Sequence, residues 1–150
     1  MSMASPGDGV SVPREREILR TPVPPNDFTP DGWKPTWQEL TPSEDDKQDA
    51  STRDGPVRVS VWDSQLTTSA AAKAFRSRST IVLSAQVSAV VAAGAREVVY
   101  DPLPMPEAAR EGADGHCGIE GLERPPGEPR PRWKDRLQRV ADCFRVLPGA

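Results

Sequence analysis

Residues 57–62, VRVSVW, are the stretch that decides the predicted fold of this 150-residue chain. Three valines alternate there with other side chains, and a period of two residues predicts a β-strand. Two further runs, TIVL at 80–83 and REVVYDP at 96–102, are rich in β-branched residues and predict a second and a third strand. The chain is therefore expected to fold around a small sheet.

Each interval between these strands has the composition of a helix. The first, TTSAAAKAFRSR, is rich in alanine, and Thr67 or Thr68 is suited to cap its start. The second, AQVSAVVAAG, follows Ser84, a candidate cap, and ends at Gly94, which is suited to terminate a helix. Alternating strands and helices predict a parallel sheet with right-handed crossovers.

The clearest helical pattern is RWKDRLQRVADCFRVL at 132–147. Four apolar side chains form one stripe along it, namely Trp133, Leu137, Val140 and Phe144. Residues 102–131, which precede it, are rich in glycine and proline and are predicted to form a long loop. Residues 57–150 are thus predicted to be one α/β domain. It has a small three-stranded, mainly parallel sheet, two crossover helices and a C-terminal amphipathic helix.

Residues 1–56 differ in composition from the rest of the chain. They hold nine of the 17 prolines and 11 acidic side chains against 6 basic ones, whereas residues 57–150 hold 11 acidic and 13 basic ones. So few large apolar residues cannot offset the conformational entropy lost on folding. We therefore predict a largely disordered, proline-rich arm that the domain does not need, with one short polar helix in PSEDDKQDAS at 42–51.

One segment of this arm, FTPDGWKPTWQEL at 28–40, is unusual because it carries large apolar side chains. Phe28, Trp33, Trp37 and Leu40 are therefore candidate partner-binding residues, since exposed rings in a flexible arm bury much area on docking. An equally weighted alternative is that they pack on the chain's own domain.

The residues most suggestive of catalysis are His116 and Cys117 in GADGHCGIEGL. A histidine can lower the pKa of a thiol and act as its base, and Asp101 or Asp114 could assist. Sequence neighbours seldom face each other, however, and the glycines equally suit a turn around a small buried thiol. The ends of the predicted strands, Asp63, Ser84 and Asp101, could also line a site, although such residues more often serve as caps.

No cofactor or metal is expected. Asp114, His116, Cys117 and Cys143 lack the spacing of a metal site, and no phosphate-binding or dinucleotide-binding motif is present. The most apolar stretch, Ile81 to Ala95, is shorter than the roughly 20 residues that cross a bilayer. The two cysteines are no disulfide framework, and the expected location is the cytoplasm.

Arg132, Arg136 and Arg139 share one face of the terminal helix and could meet phosphates, but Asp135 and Asp142 dilute their charge. With a net charge of −3, nucleic-acid binding is a weak expectation. The preferred function is a non-enzymatic protein-interaction module, and the alternative is a thiol-dependent hydrolase or transferase. The small size of the domain also allows a homo-oligomer.

Overall fold

A single six-stranded sheet forms the centre of the computed structural model, which describes residues 7–22, 29, 34–75 and 81–147. Every pair of neighbouring strands is antiparallel. The strands are β1 (Glu17–Arg20), β2 (Arg58–Asp63), β3 (Leu83–Gln86), β4 (Glu97–Tyr100), β5 (His116–Glu120) and β6 (Arg145–Val146). Their order across the sheet is β4-β5-β2-β1-β3-β6.

Four α-helices accompany the sheet: α1 (Glu44–Arg53), α2 (Ser69–Phe75), α3 (Val87–Ala93) and α4 (Arg130–Ala141). Short 3-10 helices lie at Trp37–Leu40, Glu107–Ala109 and Ala113–Gly115. Each α-helix overlaps a predicted one, and Gly94 ends α3 as expected, at a φ of 138°. The predicted helix at 132–147 is too long, because α4 ends at Ala141 and Arg145–Val146 form β6. Ser84, the predicted cap of α3, lies in β3 instead, and Gln86 precedes that helix. Thr68 accepts a hydrogen bond from the Ala71 amide at 3.1 Å, which confirms it as the cap of α2.

The predicted three-stranded, mainly parallel sheet is wrong, because the three predicted strands do not pair with one another. β1 lies between β2 and β3, and β5 lies between β2 and β4. Since each inserted strand is antiparallel to both of its neighbours, β2, β3 and β4 still run in the same direction. The crossover helices thus join strands of one direction, but the β2–β3 crossover passes over β1, and the β3–β4 crossover passes over β1, β2 and β5.

The predicted disordered arm is also wrong for the residues that the structure describes. β1 is one of the two innermost strands, and the backbone of residues 9–12 pairs with the outer edge of β4 through bonds such as Val12 N–H to Val98 O at 2.9 Å. The arm contributes few apolar side chains, but Ile18 is buried in the main core on one face of the sheet and Leu19 in a smaller apolar cluster on the other. Removing residues 1–50 would remove this inner strand, so the arm is not dispensable.

The predicted loop at 102–131 contains β5, which the sequence analysis missed. HCGIE does alternate, with Cys117 and Ile119 between His116, Gly118 and Glu120, but only two of its five residues are apolar and a glycine weakens the strand pattern. Pairing with β2 and β4 nevertheless buries all five residues of the strand. The non-local ladder therefore outweighs the weak local preference of this segment.

The two faces of the sheet differ in character. On the first, the core face, Val59, Val61 and Ile119 belong to one buried cluster with Leu137 and Val140 of α4. The second, the polar face, has a small apolar cluster of Leu19, Trp62, Ala72 and Val82 under α2. The remainder of the polar face carries charged and hydrogen-bonding side chains. None of the helices in the described ranges combines the length and apolar character that a bilayer span requires.

Replacing Ile18 by alanine tests whether β1 is integral to the fold. Ile18 is fully buried in the main core, so the substitution should lower the free energy of unfolding by about 2–5 kcal/mol. Val10→Ala is the control, because Val10 is 53% exposed and its truncation should change that free energy by less than about 0.5 kcal/mol. Urea denaturation followed by circular dichroism measures both; equal effects would mean that β1 is only loosely attached.

Candidate functional site

The candidate site is the polar face of the sheet around His116. Alternation along β2 directs Arg58, Ser60 and Trp62 to this face, and the register of β5 places His116 opposite Trp62 and Glu120 opposite Arg58. Two inner strands therefore build a floor of polar side chains. These five residues are called the polar floor below.

His116 is held by hydrogen bonds at both ring nitrogens. Its Nδ1 lies 2.6 Å from the backbone oxygen of Asp101, and its Nε2 lies 3.1 Å from the hydroxyl oxygen of Ser60. A carbonyl oxygen can only accept, so Nδ1 carries the proton and Nε2 of the neutral ring accepts from Ser60. The Trp62 ring packs edge-on against the imidazole at 4.8 Å between centroids. Tautomer and orientation of the ring are therefore set by its surroundings.

Burial keeps the imidazole neutral. The side chain of His116 is 7% exposed, and this desolvation lowers its pKa below the ordinary value, because the charged form loses water. The Asp101 carboxylate, 3.7 Å from Nδ1, acts in the opposite direction but is the smaller effect. At neutral pH the ring is thus a hydrogen-bond acceptor toward Ser60.

Arg58 is the charged centre of the polar floor. Its guanidinium contacts three carboxylates, those of Asp8 at 2.6 Å, Asp101 at 3.0 Å and Glu120 at 3.1 Å. The side chain reaches them by lying across Gly118, where a Cβ atom would come within 2.5 Å of the Cβ of Arg58. The missing side chain at position 118 thus permits the buried ion-pair network that orders the N-terminal segment against β5.

A groove runs over this floor. It consists of two clefts of about 500 and 310 Å³ that share Ser60, Leu103 and His116. The first, the acidic cleft, is further lined by Asp8, Asp46, Asp49, Arg53, Arg58 and Asp101 among others. The second, the aromatic cleft, is further lined by Arg20, Thr21, Trp62, Phe75, Glu107 and Arg110. The loop that follows β4 forms a wall of both, and Met105 on that loop is 72% exposed.

Negative charge dominates the acidic cleft, with four aspartates against two arginines. Arg58 is already neutralised by its carboxylates, and Arg53 donates to the backbone oxygen of Pro56. Asp49, which is exposed on α1, has no ion-pair or hydrogen-bond partner among the described residues. The Asp49 carboxylate is therefore open to solvent, in a cleft where Arg53, four residues later on α1, also has no carboxylate partner among the described residues.

The structure brings two of the three candidate catalytic residues together and separates the third. Asp101 and His116 contact each other, as described above. Cys117 follows His116 on the same strand, so its side chain projects to the core face, where it is fully buried beside Val61 and Ile119 in the cluster. Burial raises the pKa of this thiol well above its ordinary value. The geometry gives a His116–Cys117 pair no support.

The other candidates at the strand ends and at the start of α2 lie away from the groove. Asp63 is fully buried and accepts from Arg16 at 2.5 Å and from the Tyr100 hydroxyl at 2.6 Å. Thr67 donates its hydroxyl to the Gly112 oxygen at 2.6 Å. Ser84 is buried on β3, and its hydroxyl has no hydrogen-bond partner among the described residues. Of the predicted strand ends, only Asp101 reaches the groove.

Of the four candidate partner-binding residues, Phe28 and Trp33 lie outside the described residues. Trp37 packs edge-on against Trp133 at 5.8 Å between ring centroids, and its amide donates to the Gln138 side chain at 2.9 Å. Leu40 is 1% exposed in the main core. These two side chains are therefore committed to contacts with the chain's own domain.

The basic stripe of the terminal helix is partly used in internal contacts. Arg136 bonds to the backbone oxygens of Gly121 and Glu123 and pairs with Glu128 at 2.9 Å. Arg139 lies against the Ala93 oxygen at 3.4 Å. Among the described residues, no group of three or more His, Cys, Asp or Glu side chains is arranged to hold a metal ion.

Arg58 and Ser60 are the residues of the site that the sequence analysis missed. The alternation in VRVSVW was a usable signal, because a strand with three valines on one side must present Arg58, Ser60 and Trp62 together on the other. Nothing in that stretch indicates which strand lies beside it, so the link to His116 required the tertiary structure.

Comparison with protein-family models, curated proteins and solved structures found no match to this chain.

Titration of His116 provides a first test of this geometry. A lowered pKa means that the unfolded chain binds the proton before the folded one does, so stability is complete above about pH 6.5 and declines below it. Relative to His116→Gln, the free energy of unfolding of the wild type should fall by up to about 1.4 kcal/mol per pH unit in that range. Urea denaturation between pH 5 and 8 measures the difference. Parallel curves for the two proteins would contradict the buried, neutral assignment.

Alkylation tests the placement of Cys117. Iodoacetamide reacts with thiolates, so the buried thiol with the raised pKa should react at least about tenfold more slowly than the half-buried Cys143. Each site can be followed alone in Cys143→Ser and Cys117→Ala variants, and the two rates should converge in denaturant. A Cys117 that reacts faster than Cys143 in the native protein would restore the thiol-dependent enzyme as a hypothesis.

Proposed function

We propose that this protein is a protein-interaction module whose partner binds in the groove over the polar floor. The observation that carries the proposal is that the two clefts adjoin at Ser60, Leu103 and His116, beside an exposed loop. Floors of hydrogen-bonded side chains on inner strands are rigid, and a preorganised surface loses little entropy when a partner binds. Trp37 and Leu40 are already engaged by the chain itself, so the groove is a better docking surface than the described part of the arm.

The charge of the acidic cleft favours a cationic side chain of the partner. Asp49 is exposed and has no ion-pair partner among the described residues, whereas Asp8 and Asp101 bind the Arg58 guanidinium and Asp46 accepts from the Ser43 amide. An arginine or lysine that enters would gain a carboxylate contact that the free protein lacks. Met105 and Leu103 at the adjoining wall offer apolar area to the neighbouring residues of the same partner segment.

The proposal includes a cytoplasmic location. Cys117 and Cys143 are both free thiols, and a reducing compartment would preserve them. The homo-oligomer that the small domain allows is one form that the partner could take, in which case a basic segment of a second copy would occupy the groove.

Charge reversal at the groove tests the proposal. Asp49→Lys should weaken partner binding by roughly tenfold or more, because it places a cation where the partner presents one. Asp135→Lys is the matched control, since Asp135 is also exposed on a helix but lies on α4, outside the groove lining. Partners are captured from native extract by wild type and both variants, with a photo-crosslinking residue at position 105 to report contact at the wall.

The expected result is a protein that crosslinks to position 105 and is retained by wild type and Asp135→Lys but lost by Asp49→Lys. Equal recovery by all three proteins would place the interaction elsewhere and defeat the proposal. A titration with N-acetyl-arginine amide, followed by backbone amide shifts at Asp49, Ser60 and His116, tests the cationic preference directly. The same titration with N-acetyl-glutamate amide should leave those shifts unchanged.

A further inference from the structure

We propose that Ser60 is a nucleophile that accepts acyl groups from carboxylic esters, with His116 as its base. This activity concerns the floor of the groove and goes beyond the proposed interaction, since it does not depend on which partner binds. The observation behind it is the 3.1 Å contact between the Ser60 hydroxyl and Nε2 of the chain's single histidine. The direction of that hydrogen bond, with serine as donor, is the one that nucleophilic attack requires.

Asp101 is the third residue of this arrangement, because it contacts His116, which in turn contacts Ser60. Its backbone oxygen holds Nδ1 at 2.6 Å, and one carboxylate oxygen lies 3.7 Å from the same nitrogen. The negative charge at that distance would stabilise the imidazolium that forms when His116 takes the serine proton. Arg58 binds the other carboxylate oxygen of Asp101 at 3.0 Å and so fixes its position. Arg58 and Asp101 are in this respect positioning residues.

The groove gives a substrate access to the hydroxyl. Ser60 is half-buried and lines both clefts, whereas Cys117, the other candidate nucleophile, is fully buried on the core face. The aromatic cleft of about 310 Å³ next to Ser60 has Trp62 and Phe75 in its wall and suits a short acyl chain. The substrate class is therefore an ester of a short-chain carboxylic acid.

The reaction consists of two balanced steps. Ser60 Oγ attacks the carbonyl carbon and its proton passes to His116 Nε2; the carbon–oxygen bond to the alcohol then breaks, and the alcohol leaves with that proton. Water next attacks the acyl-serine while His116 takes a proton from it, and the acid departs as the proton returns to Ser60 Oγ.

The test uses the full chain with two probes, p-nitrophenyl acetate for turnover and a biotinylated fluorophosphonate for covalent labelling, with the labelled residue mapped by mass spectrometry. Wild type should be labelled at Ser60 and should hydrolyse the ester. Ser60→Ala should abolish both signals, and His116→Gln should reduce both by about 100-fold or more. Ser84→Ala is the matched control, because Ser84 is a buried serine on the same sheet without a base, and it should retain both signals within twofold.

Labelling at another residue, no labelling at all, or a Ser60 rate that His116→Gln leaves unchanged would overturn the proposal. Site mapping on the wild type does not depend on whether a variant folds, and circular dichroism checks each variant. The outcome is separable from that of the proposed interaction. Fluorophosphonate labelling of Ser60 in the wild type reports the esterase, and the crosslink at position 105 reports the interaction, so either result can fail while the other succeeds.

Discussion

Insertion of β1 between β2 and β3 is the constraint on which the rest of the structure depends. The four residues of β1, Glu17–Arg20, form hydrogen bonds to β2 on one side and to β3 on the other, and both neighbouring strands are antiparallel to β1. Without this strand, β3 and β6 would have no connection to β2, β5 and β4 through the sheet. Because the strand comes from a proline-rich segment with few apolar residues, it derives its stability from its neighbours on both sides rather than from its own composition.

The polar floor can be buried because the guanidinium of Arg58 is paired with carboxylates. A buried guanidinium without a carboxylate would be strongly destabilising, and breaking such a pair by removing one partner typically costs about 3–5 kcal/mol. Arg58 meets Asp8, Asp101 and Glu120, which come from the N-terminal segment, the end of β4 and β5. The network therefore ties three remote parts of the chain together and holds His116 and Ser60 in one geometry. A binding surface, and the nucleophile proposed within it, both require that rigidity.

Features of the site that depend on neighbouring residues could be predicted from the sequence, whereas contacts between distant residues could not. His116 and Asp101 were candidates from sequence, because residue type and proximity to a strand end are local properties. His116 and Cys117 do not face each other in the structure, since adjacent residues of a strand face opposite sides of a sheet. The residue beside the imidazole is Ser60, which lies 56 positions before His116 in the chain. The register of β2 against β5 places Ser60 beside His116, and the sequence of neither strand alone specifies that register.

The sequence by itself determined the elements with strong local signals: β2 and β4 from alternation or β-branched runs, α2 and α3 from composition and a terminating glycine, and α4 from its apolar stripe. It also determined the common direction of β2, β3 and β4, because helical crossovers impose it. Only the tertiary structure decided that EILR and HCGIE are strands, that they separate the three predicted ones, and that Trp37 and Leu40 pack on α4. The physical reason is that these segments gain their stability from partners far away in the chain: EILR has no alternation, and the alternation in HCGIE involves only two apolar residues.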